Sequence, residues 1–265
     1  MNDAVVIKSG YSDVNGIEMY YEIHGHGKPI VLIHGGGSTL QTSFGNIIPY
    51  LAKNRQVIAM DLQAHGRTGD RNAPLSFQQD ADDVAALLKN LGIQNADFLG
   101  FSNGGHTGIE IALRYAALID RLIIASAFYK RSAAVPQFWE GFDHATLDQM
   151  PQPLKDGFLA VNNNHDKLVN MFNKDVQKMK TFKGWSDEQM KSITAPTLIM
   201  NSSMDVGSPE HAVEMYRVIP NAELVILPGM HGEYLGTIEL LQNGKWEQDY
   251  VVAIIEHFLN KRKNK

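Results

Sequence analysis

Six short, almost continuously apolar runs punctuate the chain, at residues 29–33, 56–60, 96–99, 121–127, 196–200 and 222–227. Runs of this length, bounded by glycine or turn residues, suit strands buried on both faces. The segments between them have helical spacing. Residues 77–91 place Val84, Leu87, Leu88 and Leu91 on one side, with Ser76 ahead of them as an N-cap. Helices are also expected at 44–52, 104–115, 210–218 and 246–259. Strands alternating with helices predict an α/β fold of three layers, a mostly parallel sheet with helices on both faces. The start differs. Asn15-Gly16 is a hairpin turn signal after Val14, and 17–23 alternates apolar with polar residues, so this corner is expected to be antiparallel.

The rhythm breaks between about 128 and 192. That stretch holds no convincing strand, carries Pro136, Pro151 and Pro153, and gathers aromatic and Met residues on helix-like segments. It reads as a helical insertion, 129–191, in a core formed by 1–128 and 192–265. Its aromatic and Met residues include Phe138, Trp139, Phe142, Met150, Phe158, Met171, Phe172, Met179, Phe182 and Trp185. More than half should form the insertion's own core and its contact with the main domain, and a few should line an apolar pocket.

The 265 residues suffice for one domain with a large core. A hydrophobic share of 44%, a charged share of 20% and a net charge of −5 fit a soluble protein and offer no phosphate-binding face, so nucleic acid is not an expected partner. The one basic run, Lys261, Arg262, Lys263 and Lys265, reads as a solvated helix end. The absence of cysteine excludes disulfides, thiolate catalysis and cysteine-ligated metals. Residues 1–8 have no basic patch leading into a long apolar stretch, and no run approaches the roughly 18 apolar residues needed to cross a bilayer. A cytoplasmic protein without a membrane partner is therefore expected; a homo-oligomer is compatible with the sequence.

Gly100-Phe101-Ser102-Asn103-Gly104 has the spacing G-x-S-x-G. Alone, a chain this long matches it by chance on the order of one time in ten. Here it directly follows a strand and opens a helix, the setting in which a strained turn lifts a serine out of the sheet edge. The same turn puts Ser102 at a helix N-terminus, where free N–H groups favour developing negative charge. A second glycine-rich loop, His34-Gly35-Gly36-Gly37, follows the strand at 29–33. Its N–H groups can face a substrate oxygen without obstruction. The expected oxyanion pair is the N–H of Asn103 and that of Gly36, with Gly37 as the next choice. No Gly-Lys-Ser/Thr follows, which sets a phosphate loop aside.

A serine hydroxyl needs a base, and the base an orienting carboxylate. Of ten histidines, His231 lies directly after the last strand, in Leu227-Pro228-Gly229-Met230-His231-Gly232. His24, His26, His144 and His165 read as solvated, His34 and His65 as structural loop residues, and His106 as pointing away from the serine oxygen. Asp205 follows the strand at 196–200 and is the expected acid. Its rival Asp61 opens Asp61-Leu62-Gln63-Ala64-His65-Gly66-Arg67, which reads as a structural turn.

These motifs, in the chain order Ser102, Asp205, His231, resemble those of the α/β-hydrolase fold superfamily over nearly the whole chain, least over the insertion. The resemblance is to small capped members: esterases, enol-lactonases, carbon–carbon bond hydrolases and cofactor-free perhydrolases. It implies a helical cap at 129–191 and a serine hydrolase acting on a small-to-medium, partly apolar ester or lactone, with no metal or organic cofactor. Asn103 stands where Met or Gln is frequent in relatives, which leaves the backbone N–H in place but alters the local pocket. Ser102 in place of Asp argues against haloalkane dehalogenases and epoxide hydrolases. Alternatives on the same scaffold are a small-molecule receptor and a carbon–carbon bond hydrolase. No arginine is clearly placed to clamp a substrate carboxylate; Arg67 and Arg131 are the candidates.

Overall fold

The computed structural model describes residues 6–241, 244–246 and 249–261. Arg262, Lys263 and Lys265 of the basic run, and residues 1–5, lie outside the described residues. Strands β1 (Val6–Val14) and β2 (Ile17–His24) form the expected antiparallel hairpin, turning at Asn15 and Gly16, both at positive φ. There follow β3 (Lys28–Ile33), helices α1 (Leu40–Phe44) and α2 (Ile48–Leu51), β4 (Arg55–Met60), α3 (Phe77–Asn90), β5 (Ala96–Phe101), α4 (Asn103–Arg114) and β6 (Ile119–Ala125). Four helices then intervene, α5 (Pro136–Gly141), α6 (Gln152–Val161), α7 (His165–Lys180) and α8 (Asp187–Lys191). The chain closes with β7 (Thr197–Met204), α9 (Pro209–Val218), β8 (Ala222–Met230) and α10 (Tyr250–Leu259).

The eight strands make one sheet in the order β1-β2-β4-β3-β5-β6-β7-β8, antiparallel at β1, β2 and β4 and parallel from β4 through β3 to β8. Side chains alternate across it, as the period of two requires. Val31, Ile33, Ile58, Met60, Phe98, Leu122, Ile124 and Ile199 face one core with α3, α4 and α9. Ile30, Leu32, Val57, Ala59, Leu99, Phe101, Ile123 and Leu198 face the other with α1, α2 and α10. The central strands carry apolar residues at consecutive positions because both faces are covered.

The insertion has its own small core of Met150, Leu154, Phe158, Leu168 and Met171, while Met179, Phe182 and Trp185 join the main core. Asn164 caps α7, and Leu168, Met171 and Met179 fall on its buried side. Gly157 on α6 approaches Thr42 of α1 so closely that a Cβ would come within 2.3 Å of its methyl, which seats the insertion on the main domain.

Some boundaries differ from the sequence reading. The helical pattern at 44–52 is split around 45–47, and the last helix starts at Tyr250. Trp246 lies before it, donating to the Tyr234 carbonyl at 3.2 Å and packing edge-on against Tyr50. Strands β7 and β8 run four and three residues further than their apolar runs, to Met204 and Met230. They therefore end directly before Asp205 and His231. No helix among the described residues is long and apolar enough to cross a membrane.

Candidate active site

Helix α4 rises from the end of β5 in the space of one residue. Gly100 and Gly104 make that possible: a Cβ on Gly104 would lie 1.9 Å from the Ile33 carbonyl oxygen, and one on Gly100 would lie 2.1 Å from that of Gly104. Ser102 sits at the turn with φ 53° and ψ −119°. A non-glycine residue there costs on the order of 1–3 kcal/mol and persists only where the surroundings enforce it. Here the Ser102 N–H donates to the Ala125 carbonyl at 2.8 Å, and its own carbonyl accepts from Gly105 and His106.

Ser102, Asp205 and His231 come together from the ends of three strands. His231 Nε2 lies 3.1 Å from Ser102 Oγ, and His231 Nδ1 lies 2.5 Å from Asp205 Oδ1. The Asp205 side chain is fully buried and that of His231 is 28% exposed. Asp205 also accepts from the Val206 N–H at 2.8 Å, the Ser202 N–H at 3.0 Å and Ser126 Oγ at 2.6 Å. Burial works against its charge, but the His231 hydrogen bond and charge, with the other donors, outweigh it and hold the carboxyl below its ordinary range. Ser126 is a second non-glycine residue at positive φ (52°), and its hydroxyl also meets Tyr234 Oη at 2.9 Å. Nothing in the sequence marks Ser126 or Tyr234. A serine after a strand is too common to signal a role.

Gly36 and Asn103 line the same cavity as Ser102. A Cβ on Gly36 would fall 2.5 Å from Asn103 Nδ2, so the loop and the helix start are in close contact. The first N–H groups of a helix lack intrahelical acceptors, and Asn103 is the first residue of α4. Among the described residues neither its N–H nor that of Gly36 has a protein acceptor. The Gly37 N–H, the second choice from sequence, is already engaged: it donates to Asp175 Oδ2 at 2.6 Å.

Asp175, on α7, was not foreseen. Its Oδ2 also meets His65 Nε2 at 2.8 Å, and Lys178 lies 3.4 Å from its Oδ1 and 3.2 Å from Asp80. Burial opposes the Asp175 charge, but the His65 and Lys178 charges and the His65 and Gly37 hydrogen bonds dominate and hold its carboxyl well below the usual range. This buried ionic cluster ties the insertion to the glycine loop. Removing one partner of such a cluster typically costs about 3–5 kcal/mol.

The remaining sequence candidates have other places. Asp61 is buried and accepts from the N–H groups of Leu40 (2.8 Å) and Arg67 (3.0 Å), anchoring its turn. His34 Nε2 accepts from the Leu62 N–H at 2.9 Å, and burial pushes its imidazole down to about 3. His24 is buried against Glu22, not solvated. His106 lines the same cavity as Ser102, and among the described residues no hydrogen bond joins its ring to Ser102, whose Oγ meets His231. The His106 ring stacks on Phe182 and meets Phe77 and Phe128 edge-on. Arg67 packs over Tyr20 and pairs with Asp61 and Gln41, and Arg131 covers Trp139; neither lines the cavity.

The cavity has a volume of about 490 Å³ and lies between the strand ends and the insertion. Phe128, Phe138, Phe142, Met150, Leu154, Phe172, Val176 and Met179 make it largely apolar. A larger surface hollow of about 1080 Å³, between α3 and the loop after α4, does not touch Ser102. Among the described residues no cluster of three or more His, Asp or Glu side chains could hold a metal ion.

The alpha/beta hydrolase fold family matches residues 28–165, more than half the chain, and the chain belongs to that family. A pyrrolizixenacetamide deacetylase of Xenorhabdus hominickii is 27% identical over 85% of this chain and 91% of its own. The enol-lactonase of Burkholderia xenovorans LB400 superposes with a TM-score of 0.74, at 24% identity, over 95% of this chain and all of its own. A meta-cleavage product hydrolase of Pseudomonas fluorescens IP01 does so with a TM-score of 0.78, at 22% identity, over 96% and 98%. At these identities the two structures speak for the fold, while the family and the deacetylase support a hydrolase.

Proposed function

We propose that the chain is a serine hydrolase that cleaves a small-to-medium, partly apolar, uncharged carboxylic ester or lactone through an acyl-enzyme intermediate, with residues 129–191 as a cap over the site. The observation that carries this reading is the unbroken hydrogen-bonded line from Ser102 through His231 to Asp205 at the mouth of an apolar cavity. His231 takes the Ser102 proton as Oγ attacks the carbonyl carbon, and Asp205 stabilises the imidazolium that forms. The N–H groups of Gly36 and Asn103 hold the oxyanion. His231 then protonates the leaving oxygen, and a water activated the same way releases the acid.

The cavity lining argues for uncharged substrates. Among the described residues its lining has no Lys or Arg and one carboxylate, Asp175, which its partners hold well below the usual range. A carboxylate-bearing substrate such as a dienoic acid would find no cationic Lys or Arg side chain among the described lining residues, in a poorly solvated site where an unpaired charge costs far more than in water. This favours ester or lactone cleavage over carbon–carbon cleavage of keto acids. The test is steady-state hydrolysis of short p-nitrophenyl esters by wild type and Ser102→Ala. The account expects repeated turnover that falls at least a thousandfold in the variant. Retained turnover would remove Ser102 from the mechanism, and a single burst ending in a stable adduct would favour a receptor.

A further inference from the structure

We infer that Asp175, on helix α7 of the insertion, is a positioning residue for the oxyanion hole, so that the hole keeps its shape only while the insertion is seated. The inference rests on the hydrolase reading of Ser102 and says what holds one wall of that site. Asp175 acts through the Gly36–Gly37 peptide and not by touching substrate.

The glycine loop has little of its own to fix it. Gly36 and Gly37 have no side chains to pack, Gly37 stands at φ 66°, and glycine loses more conformational freedom than any other residue when it is held in one conformation. The ends of the loop are tied to the main domain. The Gly35 N–H lies 3.4 Å from Ser43 Oγ, and the Thr39 N–H donates to Thr42 Oγ1 at 2.7 Å. The middle is tied to the insertion. The Gly37 N–H donates to Asp175 Oδ2 at 2.6 Å, a charge-assisted bond of the short, strong kind. The same oxygen would lie 3.3 Å from a Cβ on Gly36, so the carboxylate rests against the peptide that joins the two glycines.

The carboxylate is itself held by the main domain. Both His65 nitrogens face acceptors, the Gln63 carbonyl at 2.8 Å and Asp175 Oδ2 at 2.8 Å, so the ring carries both protons. Burial opposes that charge, but Asp175 outweighs it and shifts the imidazole upward. Lys178, next on the same face of α7, reaches Asp80 at 3.2 Å. The loop, the insertion and the main domain therefore meet at one carboxylate. Without it the Gly37 N–H loses its acceptor, the two glycines turn freely, and the Gly36 N–H loses its aim. A group misplaced by about 1 Å can cost on the order of a hundredfold in rate, and an oxyanion donor lost outright about a hundred- to a thousandfold.

The experiment compares p-nitrophenyl butanoate hydrolysis by the full chain as wild type, Asp175→Ala and Asp175→Asn, each well below its melting temperature. Acylation and deacylation both pass through an oxyanion, so kcat reads the hole whichever step is slower. The alanine variant should melt lower and still fold, since Lys178 keeps Asp80 and His65 can give up a proton. Its kcat should fall ten- to a hundredfold with KM within about threefold. Asp175→Asn should recover most of that loss, because both groups that reach Oδ2 are donors and the amide oxygen can take its place. Inhibition by 1,1,1-trifluoroheptan-2-one is measured beside it. Ser102 Oγ adds to the ketone carbon, its proton passes to His231 and the ketone oxygen becomes the anion, so the inhibition constant should rise by the same factor as kcat falls. Asp175→Glu keeps the charge but pushes the carboxylate against Gly36, and it is held to the same criterion should the alanine variant not fold. A folded variant within threefold of wild-type kcat, a rise in KM in place of a fall in kcat, an unmoved inhibition constant, or an asparagine variant as impaired as alanine would overturn the inference and leave the hydrolase reading standing. Wild type that neither hydrolyses the ester nor binds the ketone would sink that reading, and the inference with it.

Discussion

Replacing Asp205 by Asn keeps the shape of the side chain and removes its charge, and the four donors around it make the outcome calculable. The carboxylate accepts from His231 and the Val206 N–H on Oδ1, and from Ser126 and the Ser202 N–H on Oδ2. Ser126 can rotate and accept, because Tyr234 stands ready as its partner. The two backbone N–H groups cannot. Whichever way the Asn amide is turned, its NH₂ faces one of them, and a buried unpaired donor costs about 1–3 kcal/mol. With the NH₂ toward His231, the ring is forced to carry its proton on Nε2 and can no longer accept one from Ser102. With the NH₂ away, the ring keeps its tautomer but loses its counter-charge. At about 4 Å between charge centres and an effective dielectric near 20, that charge is worth ~4 kcal/mol to the imidazolium, or about a thousandfold in rate. Asp205→Asn should therefore fold, melt several degrees lower, and lose about a thousandfold or more in kcat with little change in KM. The assay is p-nitrophenyl ester hydrolysis beside a thermal melt. A folded variant within tenfold of wild-type kcat would refute the assignment of Asp205.

Two further outcomes follow from the same geometry. Gly104→Ala puts a methyl 1.9 Å from a backbone carbonyl in the central strand β3, so the expected result is an insoluble protein or a melting temperature lower by 10 °C or more; a melt within 2 °C of wild type would contradict the packing. Acid should destabilise the fold through His34 and His106. Their imidazoles are held down to about 3 in the folded chain and titrate near 6.5 when unfolded. Between those values the unfolded chain binds protons that the folded one does not, so stability falls as pH drops below about 6.5, by roughly 2 kcal/mol per histidine at pH 5. His65 is shifted upward and offsets part of this. In urea titrations at pH 7 and pH 5, His106→Phe should shrink the loss by about 2 kcal/mol; an unchanged difference would show that His106 is not held neutral.

The parts of the site that lie on the chain's regular alternation were readable. Ser102, Asp205 and His231 each follow an apolar run, and a parallel sheet brings the ends of such runs to one edge. The runs understated β7 and β8, because Asn201 and Ser202 are polar yet buried and because β8, at the sheet edge, tolerates Pro228 and Gly229. The parts that depend on pairing across sequence were not readable. Asp175 reaches Gly37 and His65 from 138 and 110 residues away, and on a helix rich in Lys and Asp a buried carboxylate looks like its solvated neighbours. Among the aromatic residues of the insertion, sequence could not separate Phe158, wholly buried in its small core, from Phe138 and Phe142, which face the cavity.

The central claim is that Ser102 becomes acylated, and covalent trapping tests it most directly. Wild type treated with an alkyl p-nitrophenyl phosphonate should gain the mass of one phosphonyl group, release one equivalent of p-nitrophenol, and lose ester hydrolysis in proportion. Peptide mapping should place the adduct on Ser102, and Ser102→Ala should take up none. An adduct on another residue, or hydrolysis that persists at full labelling, would contradict the account.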